Sequence, residues 1–303
     1  MTDTVPSLAP AGRASPAAPA STSPPVPAGP GTPPAGAPAP TRRGRPRRLG
    51  PGRRRPCARL AGPVAVLAVW AALSAAERLD TRVVPAPWTV VETGWDLWSR
   101  GSLGQDIVTS ASRAWWGFVV GLAIGVALAI PAGLSRVGEA LIDGTAQVKR
   151  SIPSLGLIPL FILWLGIGES FKIAIIAIGV FFPVYLNLHS GLANIDSRYV
   201  ELAETLRVSR AYFVRHVVIP GSLPSFFVGL RLAVTGSWLS LVVLEQINAT
   251  SGLGYMMFQA QNYGQTEVIF VGLVVYGVLG FASDAAVRAI ERRVLSWRRT
   301  LAS

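Results

Sequence analysis

The chain has 303 residues, of which 50% are hydrophobic and only 15% are charged, and its mean hydropathy is +0.44. A soluble domain carries about 25% charged residues, so this composition excludes an ordinary soluble protein and favours an integral membrane protein. The net charge of +12 comes from arginines in the N-terminal region and in predicted loops, which argues against a nucleic-acid groove. A single Cys57 excludes an intramolecular disulfide and a cysteine-based zinc site.

The N-terminal region, residues 1–56, is rich in Pro, Ala, Gly and Ser and becomes basic from Arg42 to Arg55. Such a composition buries too little apolar surface to offset chain entropy, so we predict a disordered cytoplasmic tail. A basic stretch before an apolar run also occurs in signal peptides. The length of the tail and the lack of a small-residue cleavage site favour an uncleaved first span.

Six hydrophobic runs follow the tail and predict an all-α, polytopic membrane protein with about six transmembrane helices. The runs cover residues 60–76, 114–134, 152–167, 172–189, 225–245 and 267–287. The second, fifth and sixth reach the length that crosses a bilayer. The third and fourth are short, contain Pro159 and Pro183, and are joined by residues 166–170, which predicts a tight helical hairpin buried in a bundle.

The distribution of Lys and Arg predicts that both termini are cytoplasmic. With the tail inside, the basic segments 135–151 and 190–224 and the C-terminal arginines from Arg288 all face the cytoplasm. The outer loop 246–266 contains no Lys or Arg, and the outer loop 77–111 contains more acidic than basic residues. We therefore expect a multi-pass protein of the cell membrane, with the lipid bilayer as its surroundings.

Four glycines of the second run, Gly117, Gly121, Gly125 and Gly133, fall on a four-residue grid. Small residues at this spacing let a neighbouring helix backbone approach closely, because lipid offers little hydrophobic drive for helix association. The grid therefore predicts a helix-packing face, and a pore lining is the alternative.

Arg231 lies about two turns inside the fifth run, where an unpaired charge costs several kcal/mol. We expect it to reach the inner membrane surface, to pair with Glu245 of another subunit, or to line a polar path. Trp238, Ser240, Glu245 and Gln246 are the other candidates for a translocation path. Helix packing is the alternative role for each of them.

The polar segment between the fourth and fifth runs predicts two short helices outside the membrane. Val200, Ala203 and Leu206 are predicted to share one face of the first helix. Ser209 is the predicted N-cap of the second helix, and Phe213 begins an apolar stripe along it.

Pro220 and Pro224 are predicted to stop the second of these helices. One apolar face of the pair can rest on the membrane bundle and leave the other face for a groove on a partner. An amphipathic hairpin lying on lipid headgroups is the alternative.

The segment Glu201-Leu202-Ala203, followed after a spacer by Val218-Ile219-Pro220, resembles the EAA loop of binding-protein-dependent ABC importer permeases. Arg207 stands where that family has Gly, which allows a left-handed turn between the two helices. A residue other than Gly costs about 1 kcal/mol there if the turn is kept. The likeness covers residues 60–299, and the string RSIPSLGLIPLFILWLGIGESFK resembles the permeases for aliphatic sulfonates, taurine and nitrate.

The resemblance implies a permease domain of the type I, MetI-like fold over residues 57–299, with a cytoplasmic coupling loop at 191–224. It implies that this loop contacts an ATPase through Glu201, Ala203, Leu206, Arg207, Ser209, Phe213 and Pro220. The implied partners are a second copy of the chain, a dimer of cytoplasmic ABC ATPase subunits and an extracytoplasmic substrate-binding protein. The chain has no G-x-x-x-x-G-K-[S/T] sequence, so we expect no cofactor, with ATP and magnesium bound by the ATPase.

The family resemblance leaves the imported solute open. An organic sulfonate, taurine or a nitrate-like anion is the first expectation, and bicarbonate or a pyrimidine precursor of thiamine are alternatives. A secondary transporter would need an inverted repeat and intramembrane carboxylates, which the sequence does not show clearly. A membrane enzyme would need a catalytic constellation, yet His189 and His216 are not clustered with Cys or paired acids. We therefore expect a transport subunit and not an enzyme.

Overall fold

A computed structural model describes residues 58–150 and 152–297, which form a bundle of α-helices without β-strands in these ranges. The predicted disordered tail, residues 1–56, lies outside the described residues. The helices are α1 (Ala58–Ala75), α2 (Pro87–Ser99), α3 (Ser102–Leu134), α4 (Arg136–Arg150), α5 (Ile158–Leu165), α6 (Glu169–Ala193), α7 (Ser197–Thr205), α8 (Arg210–Phe213), α9 (Ile219–Asn248), α10 (Leu253–Asn262) and α11 (Thr266–Val294).

Within the described ranges, four helices are long and apolar enough to cross a membrane. They are α3, α6, the continuous helix Arg210–Ile247 and α11. The first and third hydrophobic runs form the shorter apolar helices Ala61–Ala75 and Ser154–Leu165. The second of these ends at Gly166, whose φ of 74° lies in a region that favours glycine.

The bundle is centred on α6, which packs between α3 and α9. α3 and α6 are parallel, because Gly117 lies against Ile176 and Gly133 lies against Leu192 further along both helices. Large apolar side chains fill the space between these helices. Those that are fully buried include Phe171, Ile175, Ile176, Val180 and Val184 of α6 and Leu241 and Leu244 of α9.

α9 runs antiparallel to α6 and to α11. Gly191 near the end of α6 lies against Ser222 near the start of α9, whereas Gly179 faces Ser240. The C-termini of α3, α6 and α11 therefore lie at the same end of the bundle as the segment 194–209. We call this the hairpin end, after the pair of short helices α7 and α8. We call the opposite end, where α10 follows α9, the α10 end.

The segment 77–111, predicted as an outer loop, is largely helical. It contains α2 and the first turns of α3, which begins at Ser102 and not near residue 114. Pro87 occupies the first turn of α2, where the missing proline N–H is not needed. α2 packs beside α11, with Gly94 facing Val271. The helical part of this segment therefore belongs to the α10 end of the bundle.

The predicted helix stop at Pro220 and Pro224 is wrong. α8 continues through a π-helical turn, Val214–Val218, directly into α9. Proline in a regular α-helix lacks a donor and clashes with the carbonyl four residues earlier, and a wider π turn relieves this conflict. Pro220 follows that turn and lies in the first turn of α9, so the helix continues without a break.

Candidate functional site

The hairpin formed by α7 and α8 turns at Arg207, which has a φ of 51°. The N–H of Val208 donates to the carbonyl of Ala203 at 2.9 Å, and the N–H of Arg207 donates to Glu204 at 3.0 Å. These two bonds are those of a Schellman motif, in which a left-handed residue ends a helix. The left-handed turn is therefore present, with an arginine in the position that favours glycine.

Two polar contacts fix the second half of the hairpin. Ser209 is the N-cap that the sequence predicts, since its Oγ accepts from the N–H of Tyr212 at 3.4 Å. Arg210 donates from Nη2 to the carbonyl of Leu134 at 2.9 Å, at the end of α3. Phe213 packs against the apolar cluster at the hairpin end. The hairpin is thus attached to the bundle by both a hydrogen bond and apolar contact.

α7 presents two apolar faces. Val200 and Ala203 line an open groove between the hairpin and the ends of α3 and α6. Tyr199, Leu202 and Leu206 lie on the outward side, and each is more than half exposed. We call these last three residues the outer stripe of α7.

The predicted grouping of Leu206 with Val200 and Ala203 is wrong. A seven-residue spacing nearly completes two helical turns, so Leu206 falls on the face of Tyr199. Glu201 is exposed on the same helix. The outward apolar surface of this helix therefore includes Leu206 together with Tyr199 and Leu202.

The four glycines of α3 lie where α3 meets α6. A Cβ atom added to Gly117 would lie 2.6 Å from Ile176 Cβ, and one added to Gly125 would lie 2.9 Å from Val184 Cγ1. Gly121 and Gly133 are equally close to α6. The spacing of the grid thus coincides with the line of closest approach between two helices.

Glu245 lies fully buried at the α10 end. Its Oε1 lies 2.7 Å from Arg113 Nη1, and its Oε2 accepts from the Tyr276 hydroxyl and from the Gly254 N–H, each at 2.9 Å. The Ser110 hydroxyl lies 2.8 Å from both oxygens. A buried carboxylate requires such donors, because burial without them costs several kcal/mol.

A second carboxylate, that of Glu169, lies on the other side of Arg113. Nε and Nη2 of Arg113 contact its two oxygens at 2.5 and 2.7 Å, and Nζ of Lys172 lies 3.0 Å from Oε1. We call Ser110, Arg113, Glu169, Lys172, Glu245 and Tyr276 the polar cluster. The cluster contains two cations and two carboxylates, so its net formal charge is zero.

Two side chains of α3, Asp106 and Ser110, hold the segment that leads into α10. The N–H of Gly252 donates to Asp106 at 2.8 Å, and the N–H of Leu253 donates to Ser110 at 2.9 Å. Gly252 has a φ of 110°, and a Cβ atom there would lie 2.7 Å from Arg113 Nη1. Only glycine suits this position, because both the backbone conformation and the space exclude a side chain.

Arg231 has its carboxylate partner in its own chain. Its Nε lies 3.0 Å from Asp284 Oδ1, and Arg288 Nη1 lies 2.7 Å from the other oxygen of Asp284. The antiparallel arrangement of α9 and α11 brings these residues together. The suggested pairing of Arg231 with Glu245 of another subunit is therefore replaced by an intrachain pair, and Glu245 is already bound to Arg113.

Comparison with known families agrees with this arrangement. The family described as "binding-protein-dependent transport system inner membrane component" matches residues 121–296, which contain α6, the hairpin, α9 and all of α11. The chain belongs to this family. It is a multi-pass permease subunit of an ABC importer, as the resemblance of its EAA-like loop predicts.

Curated relatives of this permease include proteins named for the transport of aliphatic sulfonates and of taurine. The chain is 43% identical over 235 residues to the putative aliphatic sulfonates transport permease protein SsuC of Escherichia coli (strain K12), covering 78% of this chain and 89% of that protein. It is 30% identical over 242 residues to the taurine transport system permease protein TauC of the same organism, covering 78% and 88% of the two chains. The predicted sulfonate, taurine and nitrate permease group is confirmed.

A solved structure shares the fold of the permease. The crystal structure of an amino acid ABC transporter with histidines superposes with a TM-score of 0.54 at 17% identity, covering 65% of this chain and 96% of that chain. The predicted fold class, an all-α polytopic membrane protein of the type I, MetI-like kind, is confirmed.

Three of the permease's predicted path residues contact neighbouring helices. Trp238 donates to the Ser283 hydroxyl at 3.2 Å, Ser240 faces Gly179, and Glu245 belongs to the polar cluster. Gln246 is half-buried beside Glu245. A role for these residues in translocation remains a prediction.

Sequence reasoning missed five members of the polar cluster, since it considered only Glu245. Arg113 directly precedes the second predicted run and Lys172 begins the fourth, and a charge beside or within a membrane span demands a partner. That signal was available in the sequence, as it was for Arg231. The spacing of the residues does not reveal their contacts, because Arg113 and Glu245 lie 132 positions apart.

Proposed function

We propose that this permease imports a small solute that carries an oxyanion group, namely an organic sulfonate, taurine or a nitrate-like anion, across the cytoplasmic membrane. The names of the curated relatives support this substrate class. Bicarbonate and a pyrimidine precursor of thiamine are the alternatives that the same architecture would serve. In this proposal the N- and C-termini are cytoplasmic, because the basic segments 135–151 and 190–224 lie at the hairpin end with the C-terminus of α11.

The observation that supports a role as the ATPase-coupled subunit of an importer is the outer stripe of α7. Three large apolar side chains, Tyr199, Leu202 and Leu206, point away from the bundle at the end that carries the basic segments. A solvated loop has no need of such a stripe, whereas a groove on a cytoplasmic partner would bury it in the helix-in-groove mode. We assign that partner as the ABC ATPase subunit.

The assembly proposed is a homodimer of this permease with two ATPase subunits and an extracytoplasmic substrate-binding protein. ATP and magnesium are bound by the ATPase, and this chain holds no cofactor. ATP binding draws the two ATPase subunits together and carries the docked hairpins with them. The two bundles then alternate between inward-facing and outward-facing states.

Reconstitution tests this function. The permease, its ATPase subunit and its binding protein are placed in proteoliposomes, and ATP hydrolysis is measured with taurine, ethanesulfonate or nitrate. We expect one of these three solutes to stimulate hydrolysis only when the binding protein is present. Stimulation by bicarbonate or by a neutral pyrimidine alone would overturn the proposed substrate class.

Docking is tested separately with Leu202, at the middle of the outer stripe. We expect Leu202→Asp to abolish co-purification with the ATPase, because a carboxylate cannot be buried in an apolar groove without a partner. Leu202→Met conserves apolar volume and should retain co-purification. Equal co-purification of the two variants would contradict docking through this stripe.

A further inference from the structure

The polar cluster contains a pair of cations whose counter-ion lies at the surface. We propose that Arg113 and Lys172 form a binding site for a small oxyanion, and that Glu169 occupies this site with its own carboxylate in the conformation described. The inference rests on the proposed import of an anion. It assigns to that anion a place on the permease itself.

The burial of the three side chains differs sharply. Arg113 is 5% exposed and Lys172 is 3% exposed, whereas Glu169 is 54% exposed. Buried cations require an anionic partner, because their desolvation is otherwise uncompensated. The partner supplied here is one that solvent can reach and that a solute anion can therefore replace.

The remaining carboxylate of the cluster is not exchangeable in this way. Glu245 is fully buried and accepts hydrogen bonds from Arg113, Ser110, Tyr276 and the backbone of Gly254. It neutralises one of the two cations permanently. With Glu169 turned away, the site would carry one net positive charge, which suits a monovalent anion.

The arrangement of donors fits a group with three oxygens. Glu169 has two oxygens, so its Oε1 serves both Arg113 Nη2 and Lys172 Nζ while Oε2 contacts Nε. A sulfonate or nitrate ion offers two oxygens to the planar guanidinium fork and a third to the ammonium group. The hydroxyl of Ser251, 3.3 Å from Nη2, adds a further polar group to the site.

The position of Glu169 allows its release without movement of the cations. It is the first residue of α6 and follows Gly166 and Gly168, beside which a Cβ atom would meet open space. Rotation of the Glu169 side chain into solvent would leave Arg113 on α3 and Lys172 on α6 in place. On the proposed orientation, this end faces the binding protein.

Calorimetric titration of the purified permease with ethanesulfonate, in phosphatidylcholine nanodiscs and gluconate buffer, tests the site. We expect Glu169→Gln to bind at least about tenfold more tightly than the unaltered chain, the scale of one charge-assisted hydrogen bond. Glu92→Gln, which alters an exposed carboxylate on α2, should leave affinity unchanged. The double variant Glu169→Gln, Lys172→Gln should lose the gain.

Thermal unfolding keeps the test decisive if Glu169→Gln is unstable. Loss of the carboxylate should lower the unfolding temperature, and ethanesulfonate should restore it, whereas ethyl methyl sulfone, which is neutral, should not. Equal effects of the sulfonate and the sulfone, or no gain in affinity, would overturn the proposal. Suppression of sulfonate binding by added phosphatidylglycerol would assign the cations to a lipid phosphate and would also overturn it.

The two proposals fail in different ways. Anion binding by Glu169→Gln without anion-stimulated ATP hydrolysis in the complete transporter would refute the proposed substrate and leave the anion site standing. Stimulation by an anion without any gain in Glu169→Gln would refute the site and leave the substrate standing.

Discussion

Arg113 of α3 and Glu245 of α9 form an ion pair inside the bundle, with 2.7 Å between Nη1 and Oε1. Both side chains are buried, and the pair joins two helices that are far apart in sequence. Around it, hydrogen bonds reach α11 through Tyr276 and the first turn of α10 through Gly254. The α10 end is therefore ordered by charge and hydrogen bonds as well as by apolar packing.

Glu245→Gln is expected to lower the stability of the permease markedly. Removing one partner of a buried ion pair costs about 3–5 kcal/mol, and here Glu169 alone would be left to neutralise both Arg113 and Lys172. The control is Asp284→Asn, which breaks a partly exposed pair with Arg231 and should cost about 1 kcal/mol or less. Thermal unfolding in detergent measures both, and equal losses would contradict the difference in burial.

Arg207→Gly is expected to stabilise the hairpin turn. Glycine adopts a positive φ without strain, so the change should favour the closed turn by about 1 kcal/mol, or roughly fivefold in the opening equilibrium. Hydrogen exchange at the amides of Arg207 and Val208, which bond to Glu204 and Ala203, reports this opening. Arg198→Gly, a change inside α7, should accelerate exchange instead. Faster exchange in Arg207→Gly would contradict the left-handed turn.

Gly121→Ala is expected to destabilise the packing of α3 on α6. A Cβ atom at Gly121 would lie 2.7 Å from Val180 Cβ, so the helices must separate, at a cost of about 1–3 kcal/mol. Gly236→Ala is the matched control, because no atom lies within 4 Å of its added Cβ atom. That change should be neutral or slightly stabilising in thermal unfolding. Similar losses at the two positions would argue against close helix approach along the glycine grid.

Ala203→Trp is expected to uncouple ATP hydrolysis from transport while the protein remains in the membrane. Ala203 faces the groove between α7 and the bundle, so an indole there would push the hairpin out of position. Glu201→Trp places the same indole on an exposed position of α7. It therefore separates an effect of bulk at the surface that faces the ATPase from displacement of α7 relative to the bundle. Transport assays with membrane fractionation measure the effect. Normal coupled transport by Ala203→Trp would contradict the role of the groove.

The sequence was sufficient for features that depend on local periodicity. The glycine grid of α3 marks its face toward α6, and the cap at Ser209 follows from a residue type with a known local preference. The left-handed turn at Arg207 came from resemblance, since arginine itself gives no sign of it. These expectations use residues within a few turns of each other, for which the chain itself sets the geometry.

Features that depend on tertiary register were beyond the sequence. The polar cluster combines residues from α3, α6, α9 and α11, and only the parallel and antiparallel order of those helices brings them together. Three residues make less than one full turn of a helix, so two such steps from Val200 carry Leu206 around to the side of Tyr199. Pro220 was misread because the sequence does not reveal the π turn that precedes it.

The absence of a stop at Pro220 has a mechanical meaning. Arg210–Ile247 is one helix of 38 residues, about 57 Å long at 1.5 Å per residue, and it runs from the hairpin to Glu245. A loop between two such points would absorb a displacement by changing shape, but a continuous helix transmits it as a tilt or a shift. The π turn at Val214–Val218 is the place where this rod departs from regular α-helical geometry. A displacement of the hairpin should therefore reach the buried carboxylate of Glu245 at the α10 end as a movement of one continuous helix.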